Sequence, residues 1–243
     1  DGHLVMAYLF LKAQGLAGKP VADIRIDGAG KKVTRSDNCR VSDLSVSSDN
    51  LTFTYEAKSL PYPIDTSYYD NEKHTQADAL SVIPFMDEMN YEGLSVSGLS
   101  DGYYGLTIGG EFIGRFTARE LERGINMALL QNTPQYKQAM KIRQMNEERW
   151  LKERKMREFY WVEYNLMRKT GMLWACDEAA VDTLRKYRPH DIFLQWNGDL
   201  WLQYMHKGIR EDCVNEQQNL VDRIYEQNKP IPLRIEIKKF TDL

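Results

Sequence analysis

The chain predicts an α+β fold: a small antiparallel β-sandwich-like region at about residues 17–116, then a helical region with one very long helix. Three observations carry this. Between residues 21 and 116, short alternating segments are separated by Gly and Asp turns, the pattern of an antiparallel sheet or small sandwich. From Thr117 onward the apolar spacing becomes helical. Thr133-Pro134 then opens a highly charged stretch with no Gly or Pro before Gly171.

The elements follow in order. Leu4, Val5, Tyr8, Leu9 and Leu11 give a largely buried helical pattern, and Gly15 stands where a C-terminal stop belongs. Val21–Asp27 alternates and ends at Gly28-Ala-Gly30, a strand and its turn. Cys39–Val46 and Leu51–Tyr55 alternate about Ser47-Ser-Asp-Asn50 and read as a hairpin. Leu94–Ser97, Tyr104–Ile108 and Glu111–Phe116 extend the sheet, joined by turns at Asp101-Gly102 and Gly109-Gly110. Leu60-Pro-Tyr-Pro63 is excluded from a central strand because neither proline donates to a ladder. Residues 58–92 therefore read as a long ordered excursion, polar from Asp65 to Asp78, with weak helical spacing at 79–90, placed to face a neighbouring domain.

Thr117-Ala-Arg-Glu120 is a capping box, and its helix is expected to run to about Leu130. The next helix starts at Thr133-Pro134, where proline sacrifices no hydrogen bond, and extends toward Gly171, about 37 residues and ~55 Å. Its part 141–158 is dense in Lys, Arg and Glu and reads as solvated on most faces; 159–167 is aromatic and aliphatic and reads as packed. Further helices are expected at about 174–187, stopped by Pro189, and at 212–228, before Pro230. Leu233-Arg-Ile-Glu-Ile237 is a closing strand.

Composition excludes several functions. A net charge of −3 exerts no general pull toward nucleic acid or anionic membrane. The basic residues of 141–157 are balanced by Glu147, Glu148, Glu153 and Glu158, which favours a solvated face or interdomain strut. No apolar run reaches the length of a membrane span, and helix 4–11 is too short and lacks the basic leader of a signal peptide. The chain opens without Met, which fits a processed or truncated polypeptide. Cys39, Cys176 and Cys213 form no zinc pattern and read as free and buried; if one disulfide forms, Cys176–Cys213 is the favoured pair.

Gly2-His-Leu-Val-Met-Ala7 resembles the segment after the catalytic Asp-x-x-His-Pro of SGNH/GDSL-type esterases and lipases. The strand–Asn38-Cys39–strand pattern with Leu60-Pro-Tyr-Pro63 resembles a β insert of bacterial members of that family, as does Tyr104–Asn126 followed by Thr133-Pro134. The Asp-x-x-His-Pro itself is missing: Asp1 and His3 are two apart and no Pro follows His3, so no catalytic role passes to them. No Gly-Asp-Ser block occurs either. The resemblance implies that residues 1–16 are the terminal helix of an upstream SGNH domain, followed by the β-sandwich-like region 17–116 and the helical region 117–243. It implies hydrolysis of carboxylic esters, acetyl or acyl esters of carbohydrate among them, by Ser–His–Asp chemistry without cofactor or metal. It also implies an upstream catalytic domain as partner and a periplasmic or extracellular location.

The remaining constellations are weaker. Gly98-Leu-Ser-Asp-Gly102 matches a nucleophile elbow, yet it lies between strands, and a plain turn around Ser100 is the preferred reading. His190-Asp191 suggests a base and its orienter, but a helix start with Asp191 at the N-terminus fits better. His3 belongs to a first helical turn, His74 to a polar loop and His206 to an aromatic stretch; none has metal-ligand spacing. Trp196 and Trp201 are the candidate substrate-binding residues: with Tyr204, and with Asp191, Asn197 and Asp199 as polar rims, they read as an aromatic platform for sugar rings, or else as ordinary core packing. A non-catalytic carbohydrate-binding or assembly module is thus the alternative to a hydrolase fragment.

Overall fold

A computed structural model of the chain describes residues 2–66 and 75–240. The chain forms two compact units, Asp1–Lys141 with Gln227–Leu243, and Ile142–Glu226. In chain order the elements are α1 (Gly2–Ala13), β1 (Ala22–Asp27), β2 (Lys32–Asp37), β3 (Cys39–Val46), β4 (Asn50–Ala57), α2 (Phe85–Glu88), β5 (Glu92–Ser97), β6 (Tyr103–Ile108), β7 (Glu111–Thr117), α3 (Ala118–Arg123), β8 (Ile125–Asn126), α4 (Pro134–Val162), α5 (Glu178–Tyr187), α6 (Ile192–Tyr204), α7 (Lys207–Gln227) and β9 (Leu233–Lys239).

The first unit holds two sheets over one core. One sheet has the order β2-β1-β5-β8 and the other β3-β4-β9-β6-β7. Ile24, Ile26, Leu94 and Val96 of the first sheet meet Phe53, Tyr55, Leu106, Ile108, Ile235 and Ile237 of the second in a single apolar cluster. Along β4 the buried and half-buried residues alternate, as a strand with one face on a core requires. The α+β reading holds, with antiparallel pairing dominant and one parallel pair, β1 with β5. The hairpin β6–β7 turns on Gly109 and Gly110, both at positive φ (59° and 86°), the geometry of a two-residue turn that glycine adopts without penalty.

Three expectations change, and a strand is added. The closing strand β9 lies between β4 and β6 in the centre of the second sheet, because Leu233, Ile235 and Ile237 supply an inward row there. Asp101-Gly102 is no hairpin turn: β5 and β6 belong to different sheets, so residues 98–102 cross between them. Gly98, at φ 72°, approaches so near Ala29 that a Cβ would stand 2.9 Å from its nitrogen. The helix capped by Thr117 and Glu120 stops at Arg123, where Gly124 takes φ 94°. Finally, β2 escapes the alternation test because nearly every residue in it is exposed; it is a charged edge strand.

A smaller cluster packs Leu4 and Tyr8 of α1 on Ile64, Ile83, Phe85 and Met86, so the 58–92 excursion is ordered where described. Tyr8 donates to Glu88 at 2.7 Å, and Lys12 pairs with the same carboxylate at 2.7 Å. The opposite side of α1 leaves Met6, Leu9 and Phe10 exposed.

The second unit is helical. Most of α4 belongs to it, and a π-helical segment, Glu163–Met167, continues the helix. The charged part carries the pairs Arg143–Glu147, Glu153–Arg157 and Arg154–Glu158 at i,i+4 spacing, exposed contacts of about 0.3–0.5 kcal/mol each. Phe159, Val162, Met167, Leu184, Leu194 and Trp201 form its core. The three cysteines are free; Cys39 and Cys213 are buried, and Cys176 is exposed, contrary to the all-buried expectation. Among the described residues no helix is long and apolar enough to cross a membrane.

Candidate functional site

The candidate site is built on the connection between α5 and α6. Asp191 caps α6, its Oδ1 accepting from the N–H groups of Phe193 and Leu194 at 2.8 and 3.2 Å; two first-turn amides are thereby satisfied. Arg188 reaches along α6 and forks onto Asp199, Nη1 to Oδ1 and Nη2 to Oδ2 at 2.7 Å each. It also donates to the carbonyl of Gln195 at 3.1 Å. Gly198 leaves room for it, since a Cβ there would stand 3.1 Å from Arg188 Nε. The paired hydrogen bonds raise the Arg188 pKa and lower that of Asp199. Cap and fork together fix the short 3-10 turn Arg188–His190, and with it Tyr187 and His190.

That turn and the end of α4 line an open cleft of about 360 Å³, within the range of small-molecule sites. Trp161, Leu166, Tyr187 and Leu194 make it mostly apolar, and Asn165, Lys169 and His190 add polar groups. Asn165 is held by donating to the Trp161 carbonyl at 2.9 Å. Neither Lys169 nor His190 makes a side-chain hydrogen bond or ion pair among the described residues. Trp161 also lines a second cleft with Trp150, Arg157 and Asn197. An aromatic strip runs from Trp161 through Phe193 to Trp196, with ring centroids 5.2 and 5.5 Å apart at the two steps.

The two nominated tryptophans part company. Trp196 is 66% exposed at the end of this strip, whereas Trp201 is fully buried. The Trp201 indole donates to Glu163 Oε1 at 2.8 Å, and Glu163 Oε2 accepts the Trp174 amide at 2.9 Å. Trp201 is therefore core, and Trp161 and Phe193 accompany Trp196 in its place. The helix-start reading of Asp191 holds. His190 lines the cleft, while Asp191 turns its carboxylate to the α6 amides and does not orient the imidazole.

Ser100 sits in the crossing loop that leads into β6, so no strand-to-helix elbow exposes it. Its hydroxyl accepts from Lys239 Nζ at 2.8 Å and lies 3.1 Å from the Tyr104 hydroxyl. His206 Nδ1 lies 3.4 Å from Cys176 Sγ, and Cys213 donates to the Lys152 carbonyl. His3 is exposed in the first turn of α1. Asp1 and His74 lie outside the described residues. Among the described residues no group of His, Cys, Asp and Glu is arranged to hold a metal.

Sequence reasoning missed Arg188 and Glu163, and it placed Asp199 on the rim of an aromatic platform, whereas its carboxylate is taken by Arg188. Asn197-Gly198 looks like a turn, yet it lies inside α6, and only the eleven-residue reach from Arg188 to Asp199 reveals why glycine stands there.

Residues 140–229 match the family described as the diltiazem deacetylase C-terminal helical domain. That span coincides closely with the helical unit, Ile142–Glu226. Over 99% of its length the chain also superposes on a solved structure described as BT4096, a gut microbial diltiazem-metabolizing enzyme, with TM-score 0.92 and 40% identity. The alignment covers 54% of that enzyme, so the chain spans about half its length. A comparison with curated proteins finds no match.

Proposed function

We propose that this chain is the C-terminal, non-catalytic part of an SGNH/GDSL-type ester hydrolase that removes acetyl or acyl groups. The observation that carries the reading is the 40% identity, over nearly the whole chain, to an enzyme about twice as long whose described activity is on diltiazem. The family description of the helical segment, a deacetylase domain, agrees with it. The resemblance of residues 2–7 to the segment that follows a catalytic Asp-x-x-His-Pro gives the same order: catalytic apparatus first, this chain after it.

In this reading a serine of the upstream domain attacks the ester carbonyl, the alcohol leaves, and water releases the acid from the acyl-enzyme. This chain supplies none of those groups. Its part is to complete the protein. Met6 and Phe10, 61% and 65% exposed on α1, provide an apolar face for the upstream domain to cover. Diltiazem and acetylated sugars are the two substrate types to compare, the first from the relatives and the second from the family resemblance. The alternative, a carbohydrate-binding module, draws on the exposed Trp161–Phe193–Trp196 strip.

The test is serine-directed fluorophosphonate labelling, with diltiazem deacetylation assayed in parallel. The chain by itself is expected to show neither, and the polypeptide that includes the preceding coding sequence is expected to show both. Labelling of Ser100 in the isolated chain overturns the reading. So does an extended polypeptide that neither labels nor hydrolyses any acetyl ester.

A further inference from the structure

We propose that the cleft at the α4 terminus and the α5–α6 turn binds an aromatic carboxylate, with the ring on Trp161 and Tyr187 and the carboxylate on Lys169. The inference does not depend on the hydrolase reading, because every group it uses belongs to the helical unit.

Three features select this chemistry. First, the lining is mostly apolar and carries two aromatic side chains, Trp161 and Tyr187, with Leu166 and Leu194. Sugars need dense hydrogen bonding around an aromatic face, whereas leucines beside the rings suit a flat hydrophobic body. Second, the volume of about 360 Å³ is ample for one or two fused rings. Third, the polar groups are unequal. Lys169 has no anionic partner among the described residues, and His190 has no hydrogen-bond partner there. Asp191, the acidic group in the lining, already serves the Phe193 and Leu194 amides at the positive end of α6. The unanswered charge of the cleft is therefore positive, and a carboxylate answers it.

The walls are also held in place before any ligand arrives. The Asp191 cap and the Arg188–Asp199 fork fix the turn that carries Tyr187 and His190. Asn165, tied to the Trp161 carbonyl, and Thr170, tied to the carbonyls of Leu166 and Met167 at 3.0 and 3.2 Å, fix the opposite segment. Pre-formed walls lower the ordering entropy of binding.

The experiment is calorimetric titration of the full chain with 2-naphthoate, and with its neutral isostere 2-naphthamide. Saturable binding of one naphthoate is expected, at least 10-fold tighter than naphthamide, with quenching of tryptophan fluorescence. Lys169→Met is expected to weaken naphthoate about 10-fold and to leave naphthamide unchanged; Lys169 is exposed, so the variant folds. Tyr187→Ala is expected to weaken both ligands. Equal affinity for acid and amide, an unchanged Lys169→Met variant, or no naphthoate binding at millimolar concentration overturns the proposal. Preferential binding of neutral oligosaccharides, lost in the same variants, overturns it as well and assigns the cleft to sugars.

Discussion

Arg188 and Asp199 close a two-pronged ion pair across the first turns of α6, with both nitrogen–oxygen distances at 2.7 Å. The pair is open to solvent on the Asp199 side, so its contribution to global stability is small. Its effect is local: it holds the turn on which Tyr187 and His190 stand. Asp199→Ala is expected to leave the chemical denaturation midpoint nearly unchanged, yet to speed amide hydrogen exchange over residues 187–191. Unchanged exchange in that segment means the Asp191 cap alone suffices.

Gly198 is expected to tolerate only the smallest change. Alanine there gains up to about 1 kcal/mol of helix propensity while its Cβ nudges Arg188 Nε, 3.1 Å away, so the two effects nearly cancel. Gly198→Val loses that balance, because the branched carbon expels the guanidinium and valine restricts the helix. A loss of about 1–3 kcal/mol is expected in chemical denaturation of the variant.

Glu92 is buried between the two sheets, where Tyr55 donates to it at 2.8 Å and Gln135 at 3.2 Å. Burial pushes its pKa up to about 7 despite those hydrogen bonds, and pushes that of Tyr55 upward also. Among the described residues the buried Gln135 Oε1 has no partner; a protonated Glu92 has an O–H to give it once the amide turns over. The folded state thus binds the proton more tightly than the unfolded chain. Its stabilising effect is fully present below about pH 4.5 and is lost as pH rises toward about 7. The Glu92→Gln variant, neutral at every pH, is expected to lack this decline, on the order of 3 kcal/mol in the wild-type chain. Denaturation midpoints between pH 4.5 and 8 that run parallel for both proteins refute the assignment.

Much of this fold was legible because one face of each strand must be apolar. The rows Leu51, Phe53, Tyr55 and Leu233, Ile235, Ile237 announced their strands. They did not announce which sheet would receive them, since pairing is decided by distant residues, and β9 joins β4 and β6 only after a helical unit has intervened. β2 was hidden because an exposed edge strand has no apolar face to display. At the candidate site, Asp191 was readable as a cap from its place before Ile192. Trp196 and Trp201, five residues apart on one helix, looked alike in sequence, and only the position of Glu163 on a different helix separates core from surface.

The Trp201–Glu163 contact is expected to be among the costlier ones to break. Glu163 is fully buried at the start of the π-helical segment, and the Trp201 indole and Trp174 amide are its partners at 2.8 and 2.9 Å. Trp174 itself stands at φ 63°, an unfavourable backbone for a large side chain. Trp201→Phe keeps most of the apolar volume but strips Glu163 Oε1 of its donor. A loss of about 2–4 kcal/mol is expected, because a buried acceptor left unpaired keeps its full desolvation penalty. A change below 1 kcal/mol in urea unfolding contradicts this.

The outer face of α1 behaves oppositely. Leu4 and Tyr8 are buried, while Met6 and Phe10 turn outward and touch little of the described chain. The double variant Met6→Glu, Phe10→Glu is expected to leave stability within about 0.5 kcal/mol, and to reduce binding of a hydrophobic dye by the isolated chain. In the polypeptide carrying the proposed upstream domain, the same pair of charges is expected to be strongly destabilising, since each is then forced into an apolar contact without a partner. Thermal unfolding of the two proteins side by side decides the matter. Equal tolerance in both means that nothing covers this face, and α1 is then no part of the joint between this chain and a catalytic domain.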